Sequence, residues 1–288
     1  MKKILLAATA LVLAGSAAPA FAQEETGPFT VSGTVGIVTE YRFRGVSQSD
    51  EKMAIQGGIT VSHESGGYAG VWASNLAGWG TFGGSNTELD LILGYKLPLA
   101  EGVSLDVGAT WYMYPGGYNN TDFIEPYAKL SGSIGPASAT LGVAYAPKQE
   151  ALGPAYLSSD DIAANFPNPT QPGAKDDNLY IFGDLAGGIP GTPVTLKAHL
   201  GHSEGNRGLG VFGTSVSPTG AYWDWSLGAD FAIGPVVLGV AYIDTDIGAA
   251  ESLYISRLSD GSYGNLTNTV NGGSIAGSKI VGSLTASF

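Results

Sequence analysis

The fold of this chain is decided by stretches such as residues 103–113, which read VSLDVGATWYM. The odd positions carry valine, leucine, alanine, tryptophan and methionine, and the even positions carry serine, aspartate, glycine, threonine and tyrosine. Because successive side chains of a β-strand point to opposite faces, this alternation predicts a strand with one apolar face and one polar or small face.

The same alternation recurs along the chain and predicts about twelve strands. Each segment is at least as long as a tilted membrane strand, which needs roughly 9–11 residues. The segments lie near residues 29–46, 53–64, 67–76, 87–97, 102–114, 121–133, 137–146, 177–188, 193–203, 220–232, 236–246 and 275–288.

The connections between these segments are short and long in turn. The short ones use Gly and Pro turn residues and lie around residues 66–67, 100–101, 135–136, 191–192 and 234–235. The long ones cover residues 78–86, 115–120, 147–176, 204–219 and 248–274. This alternation is typical of the periplasmic turns and extracellular loops of outer-membrane proteins, so we expect an all-β, transmembrane, antiparallel up-and-down β-barrel with both termini on the periplasmic side.

The N-terminus reads as an export signal. Lys2 and Lys3 precede an apolar run from Ile4 to Leu13, and Ala20-Phe21-Ala22 is an A-x-A cleavage pattern. The run is shorter than the ~18–20 residues that a spanning helix needs. We therefore expect residues 1–22 to be a signal peptide cleaved after Ala22, and residues 23–288 to form the barrel domain in the outer membrane of a Gram-negative cell.

Composition narrows the function classes. Charged residues make up 13% of the chain, against about 25% in ordinary soluble domains. Cysteine is absent, which excludes disulfides and Cys-ligated metals. The net charge of −12 argues against a nucleic-acid partner, because phosphate binding needs a basic surface.

The last strand ends on Phe288 and alternates apolar with small residues. A terminal aromatic on such a strand resembles the signal that outer-membrane barrels present to the barrel assembly machinery. The expected partners are therefore that machinery, through Phe288, together with outer-membrane lipid and lipopolysaccharide.

Charged residues within the strands should face the lumen, because a charge facing lipid at the midplane costs roughly 2–4 kcal/mol for Arg or Lys. We expect them either to line an aqueous path for ions or small solutes or to form a closed plug of mutual salt bridges. These pore-lining candidates are Glu40, Arg42, Arg44, Asp90, Lys96, Asp106, Glu125, Lys129, Lys197, Asp224 and Asp230.

No motif predicts an enzyme, a cofactor or a metal. Residues 78–83 match G-x-G-x-x-G, but a strand pattern follows where a dinucleotide site needs a helix, so a Gly-rich surface loop is favoured. Of the three histidines, His199 falls on the inward face, where Asp184 of the neighbouring strand can reach it. We interpret this pair as an interior hydrogen bond, because no nucleophile is marked nearby.

Two further features carry expectations. Aromatic residues near strand ends suit the interfacial girdles of a membrane barrel, namely Tyr41, Phe43, Trp111, Tyr112, Tyr114, Trp223 and Trp225. The Pro-rich stretch from Pro147 to Asp176 is unsuited to a central strand or a helix, and it either caps the barrel, folds into it, or forms a mobile surface loop.

One block carries a resemblance to a known family. Residues 39–49 read TEYRFRGVSQS, with an aromatic–x–x–Arg-Gly–x–Ser-Gln pattern, and Gly57-Gly58 and Tyr68–Asn75 continue the match. The mature chain resembles the TorF family of porins of Gram-negative bacteria. The resemblance implies a porin-like outer-membrane channel for passive passage of small polar solutes or ions, and it brings no catalytic or ligand residues. The alternative is a non-conducting structural barrel that acts through its long acidic extracellular loops.

Overall fold

The computed structural model describes residues 27–118, 120–155, 161, 164–165, 168–207, 215–248 and 269–288. The expected signal peptide, and parts of the loops expected at 147–176, 204–219 and 248–274, lie outside these ranges. Within them, twelve strands form one closed antiparallel β-barrel, which confirms the predicted fold class.

The described residues contain fourteen strands, and the barrel uses every one of these except β2 and β3. Their bounds are β1 Phe29–Val38, β2 Arg42–Phe43, β3 Val46–Ser47, β4 Ala54–His63, β5 Gly67–Asn75, β6 Thr87–Ala100, β7 Val103–Met113, β8 Phe123–Ile134, β9 Ala137–Gln149, β10 Asp176–Gly188, β11 Val194–Gly205, β12 Ala221–Ile233, β13 Val236–Thr245 and β14 Lys279–Ser287.

Each barrel strand pairs with its sequence neighbours, and the first and last strands close the barrel. At the seam, Thr34 to Val38 of β1 pair with Ser283 to Ser287 of β14. The backbones of Gly33 and Phe288 then exchange two hydrogen bonds of 2.9 and 3.0 Å. The Phe288 ring lies directly over Gly33, where a side chain would collide with it. The terminal aromatic residue therefore takes part in the contact between the first and last strands that closes the barrel.

The predicted alternation of connections is present. Two-residue turns such as 101–102 and 135–136 lie at one end of the barrel, which we name the short-turn end, and both termini of the barrel lie there. The opposite end, the long-loop end, carries the connections after β1, β5, β7, β9, β11 and β13. Among the described residues, no helix is long and apolar enough to span a membrane.

The outer face of the barrel is an apolar belt. Leu141 is 67% exposed and Ile280 is 70% exposed, although both are strand residues of a folded protein. Aromatic side chains stand exposed near both ends of the belt, at Trp111, Tyr145, Trp223 and Tyr242 towards the long loops and at Phe29, Tyr95, Phe231 and Phe288 towards the short turns. Such a continuous apolar surface needs lipid around it, because soluble proteins rarely expose patches of this size.

The aromatic prediction is correct for only part of its set. Trp111 and Trp223 stand on the outer face, and Trp225, half-buried, shares their register. The remaining four lie inside the barrel, where Tyr41, Tyr112 and Tyr114 are buried and Phe43 is partly buried. Sequence alternation misplaced them because Tyr112 belongs to the even, inward register of β7, and the other three lie outside the barrel strands.

Candidate functional site

The connection after β1 folds into the lumen. The first strand was expected to run to residue 46, but it ends at Val38. Residues 39–53, which we call the plug, instead contain a small hairpin of β2 and β3. The two residues of its turn, Arg44 and Gly45, have φ values of +48° and +79°. Positive φ at both positions is the signature of a type I′ hairpin turn. It reverses the chain where the apolar alternation suggested a continuing strand.

The plug is held together by its own polar groups. The Glu40 carboxylate accepts from Arg42 Nε at 2.8 Å. The second guanidinium arm, Arg42 Nη1, donates to the backbone oxygens of Gly45 at 2.8 Å and Gly277 at 2.7 Å. The Glu40 and Arg42 side chains therefore stabilise the plug. The prediction that they line the barrel wall is wrong, because the first strand ends before them.

Arg44 reaches the far wall of the barrel. Its Nη2 lies 2.7 Å from both carboxylate oxygens of Glu125 on β8, and its Cζ lies 4.1 Å from the ring centroid of Tyr180 on β10. Around the barrel, β8 is the fifth strand from β1 by way of β4, and β10 is the fifth strand from β1 by way of β14. Both strands therefore lie nearly opposite β1. The Tyr222 hydroxyl also donates to the Arg44 carbonyl oxygen at 3.0 Å. Arg44 thus fastens the plug across the lumen to the opposite wall.

A second link joins the plug to β6. The Tyr41 hydroxyl lies 3.1 Å from both oxygens of the Glu88 carboxylate. Burial, together with the negative charges of Glu88 and Asp90, raises the pKa of the Tyr41 phenol well above its ordinary value. The phenol therefore stays protonated and donates. Glu88 was absent from the sequence candidates, yet it lies two residues before Asp90 and shares its inward register.

An apolar cluster fills the lumen around the plug. Its members come from the wall, the plug and the first turns of the loops, and several have no exposed surface, as at Ala54, Ala146 and Leu152. Two ring pairs illustrate the packing, with Tyr41 and Trp72 edge-to-face at 5.5 Å and Tyr112 and Phe123 stacked at 4.5 Å. Among the described residues, the plug is therefore held in the long-loop end mainly by hydrophobic packing, and not by the network of mutual salt bridges that was one of the two expectations.

Two other loops contribute to this closure. The stretch Gly78–Thr81 is a 3-10 turn, and its buried Gly80 packs against Gln48 of the plug, so the Gly-rich segment is an inward loop rather than a surface loop. The turn Glu150–Leu152 buries Leu152, whose carbonyl oxygen accepts from Asn206. The beginning of the Pro-rich stretch therefore folds into the barrel mouth, which was one of the three alternatives expected for it.

Charge is confined to one side of the inner wall. On the barrel strands, inward charged side chains occur on β6, β7, β8, β10, β11 and β12, and we name the wall from β6 to β12 the charged arc. On β13, β14, β1, β4 and β5, the inward side chains are uncharged, apart from Lys279 at the long-loop end. The plug is rooted on the uncharged side, between β1 and β4, and Arg44 crosses to the charged arc.

Below the plug, towards the short turns, the charged arc is polar and partly accessible. Tyr68 donates to Asp106 at 2.7 Å and also hydrogen-bonds to Tyr127. The Lys129 ammonium lies 4.1 Å from the Tyr127 ring centroid. Lys96 faces Asp106 in the β6–β7 register. These three predicted candidates, Lys96, Asp106 and Lys129, therefore form one group.

A second group lies on β10 to β12. His199 Nδ1 is 2.6 Å from Asp184, as expected, and His199 Nε2 is 3.1 Å from Asp224 and 2.8 Å from the Tyr180 hydroxyl. Lys197 and Asp230 form a separate ion pair at 2.8 Å. Because Tyr180 also lies under Arg44, this group is connected to the plug through one ring.

Asp90 stands apart from these groups. It is buried on β6, and its Oδ1 atom makes no hydrogen bond in the structure. Within the described residues, no set of three or more His, Asp or Glu side chains has the spacing of a metal site.

A closed barrel with an apolar outer belt and a charged inner arc defines an outer-membrane type of β-barrel. Residues 22–271 match the family described as "Bacterial protein of unknown function (Gcw_chp)", and the protein belongs to this family. No curated protein matches the chain.

The chain is similar to several solved porins and channels. The NanC porin superposes with a TM-score of 0.51 at 10% identity, covering 90% of this chain and 99% of that one. The KdgM porin in complex with disordered oligogalacturonate gives a TM-score of 0.49 at 7% identity, covering 90% and 98%. An outer membrane channel from Pseudomonas putida F1 gives 0.40 at 11% identity, covering 89% and 94%. At 10% identity, the similarity to the NanC porin shows the fold alone.

Proposed function

We propose that this protein is a non-enzymatic outer-membrane channel for small polar solutes or ions, closed at its long-loop end by the plug. The observation that carries the proposal is the pairing of an exposed apolar belt with a charged inner arc in one closed barrel. A lipid-embedded barrel has no structural need for so many inward charges unless water reaches them. Twelve strands enclose a lumen between the filled case of ~8 strands and the open case of ~16 strands.

The proposal includes the route to the membrane. The protein would be exported with cleavage after Ala22 and oriented with its long loops towards lipopolysaccharide. Phe288 would engage the assembly machinery, and its place over Gly33 at the seam supports a role in closing the barrel. The resemblance of residues 39–49 to the TorF family of porins supports a channel function. The same block forms most of the plug.

The packing of the long-loop end favours one rival function. If the plug never moves, the protein is a non-conducting structural barrel that acts through its loops. The two functions differ in whether the plug can leave the lumen, so the decisive experiment controls the plug covalently.

The test uses the absence of native cysteine. The Ser47 backbone N–H donates to the Ile275 carbonyl at 3.0 Å, so these backbones are adjacent and a Ser47→Cys/Ile275→Cys pair should form a disulfide. In planar bilayers, we expect the oxidised double variant to stay closed and the reduced protein to show openings like the wild type. The single Ser47→Cys variant is the matched control and should not respond to reductant. Silence of the wild type and of the reduced variant would exclude the channel function and leave the structural barrel.

A further inference from the structure

Arg44 occupies a site that is built largely by the barrel wall. Glu125 supplies the carboxylate, 2.7 Å from Nη2, and the Tyr180 ring supplies an aromatic face 4.1 Å from Cζ. The Glu125, Tyr180 and Arg44 side chains are all buried. A buried carboxylate beside an aromatic face is the arrangement that binds a guanidinium or another organic cation. The Phe43 ring, at 4.7 Å, also faces Arg44, but it belongs to the plug and would leave with it.

The wall around this site carries more acidic than basic side chains. Glu125 pairs with Arg44, whereas Glu88 and Asp90 form no ion pair with any described residue. The Asp90 Oδ1 atom is buried and unpartnered, although an aspartate oxygen in such a place ordinarily accepts a hydrogen bond. When the plug withdraws, Arg44 and the Tyr41 hydroxyl leave together, so Glu125 loses Arg44 and Glu88 loses Tyr41.

The spacing of the carboxylates selects between kinds of cation. No three of them are close enough to coordinate one metal ion within the described residues. A planar organic cation is broader, offers several N–H donors, and can contact a carboxylate and a ring face together.

We propose that the wall site formed by Glu125 and Tyr180, with Asp90 nearby, binds the guanidinium group of small solutes entering the lumen, and that Arg44 occupies it as a tethered ligand while the plug is closed. The inference rests on the proposed channel function and names the class of solute that the channel selects. A tethered group on a short linker competes at an effective concentration in the millimolar range, so free solute should displace Arg44 only at about that concentration.

The experiment is a chemical rescue. In Arg44→Ala the site is empty, and the heat-resistant folded band should melt at a lower temperature than in the wild type. Added methylguanidinium should restore its thermal resistance in a saturable way, whereas methylurea, which has a similar shape but no charge, should not. Adding Glu125→Gln to Arg44→Ala should weaken the apparent affinity for methylguanidinium by ~10-fold or more, because a charge-assisted hydrogen bond is lost. The matched control adds Glu101→Gln, at an exposed turn, and should rescue like Arg44→Ala alone.

A second measurement covers the case in which Arg44→Ala does not fold. In bilayers, millimolar methylguanidinium should raise the opening frequency of the wild type, and an equal concentration of methylurea should not. Equal effects of the charged and neutral compounds, or rescue that ignores Glu125→Gln, would overturn the site. Thermal rescue needs no conductance, so a silent protein with Glu125-dependent rescue would refute the channel and keep the site. A conducting protein that does not respond to methylguanidinium would support the channel and refute the site.

Discussion

The two ends of the lumen are built from different chemistry. At the long-loop end, side chains such as Leu152 and Phe123 pack against the plug with almost no exposed surface, as in the core of a soluble protein. At the short-turn end, the inner wall carries half-buried hydroxyl and charged groups, among them His199 with a side chain 25% exposed. One barrel thus combines a hydrophobic closure with a polar vestibule. The difference indicates that burial of apolar surface closes the long-loop end, and that Arg44 and Tyr41 fix the plug's position there.

Removing the closure should have the largest effect. Replacing residues 42–47 by a Gly-Ser linker of equal length deletes the β2–β3 hairpin, including Arg44, and leaves the twelve barrel strands intact. We expect single-channel conductance in planar bilayers to rise several-fold, because the lumen would lose the segment that crosses it. The folded, heat-modifiable band serves as the control for barrel assembly. Unchanged conductance with a normal folded band would mean that the short-turn end, rather than the plug, limits passage.

The hydrophobic character of the closure can be measured with one residue. Leu152 has no exposed surface, so Leu152→Ala should lower the free energy of unfolding by roughly 2–5 kcal/mol, as for other buried leucines. Leu141, which is 67% exposed on the outer face, is the matched control, and Leu141→Ala should cost clearly less. Urea titration of refolded protein in detergent micelles measures both. Similar losses for the two variants would show that the long-loop end is no better packed than the lipid-facing surface.

The polar vestibule should respond more weakly. His199 lies between Asp184 and Asp224, so His199→Ala leaves two neighbouring carboxylates without their shared partner and should cost about 1–3 kcal/mol of unfolding free energy. His202 is three residues further along β11, so it lies on the opposite, outer face, where it packs against Trp223 with ring centroids 4.5 Å apart. His202→Ala is thus a control on the same strand. If His199→Ala lowers the free energy of unfolding no more than His202→Ala does, the hydrogen bonds of His199 to Asp184 and Asp224 do not stabilise the barrel.

The two ends also differ in how far the sequence predicts them. Alternation of period two located the strands and the short turns, because a slip of one residue would exchange the apolar and polar faces of a strand. It also placed Asp184 within reach of His199. The plug was missed because Arg44 has positive φ, which a tight turn ordinarily assigns to Gly, Asn or Asp. A local pattern carries no information about Glu125, 81 residues away, so the cross-lumen contact needed the closed barrel.

The smallest expected effect concerns the rim of the plug, where Asp50 is held by Lys52 Nζ at 2.8 Å and by the backbone N–H of Thr269 at 2.8 Å. Burial alone would raise the pKa of Asp50, but the hydrogen bonds from Lys52 and Thr269 lower it overall. A lowered folded-state pKa means that this contact stabilises the closed plug fully above the ordinary aspartate value of ~3.9. The stabilisation weakens below that value and is lost as the pH falls through the folded-state pKa. Because the Lys52 side chain is 54% exposed, the contribution should stay within the ~0–1 kcal/mol typical of exposed ion pairs.

We expect wild-type openings in bilayers to become slightly more frequent on acidification from pH 6 to about pH 3.5, a window that brackets the ordinary aspartate pKa of ~3.9. Asp50→Asn, which cannot ionise, should lack that increment and open slightly more often at pH 6. An identical acid response in the two proteins would assign the effect to other carboxylates of the lumen.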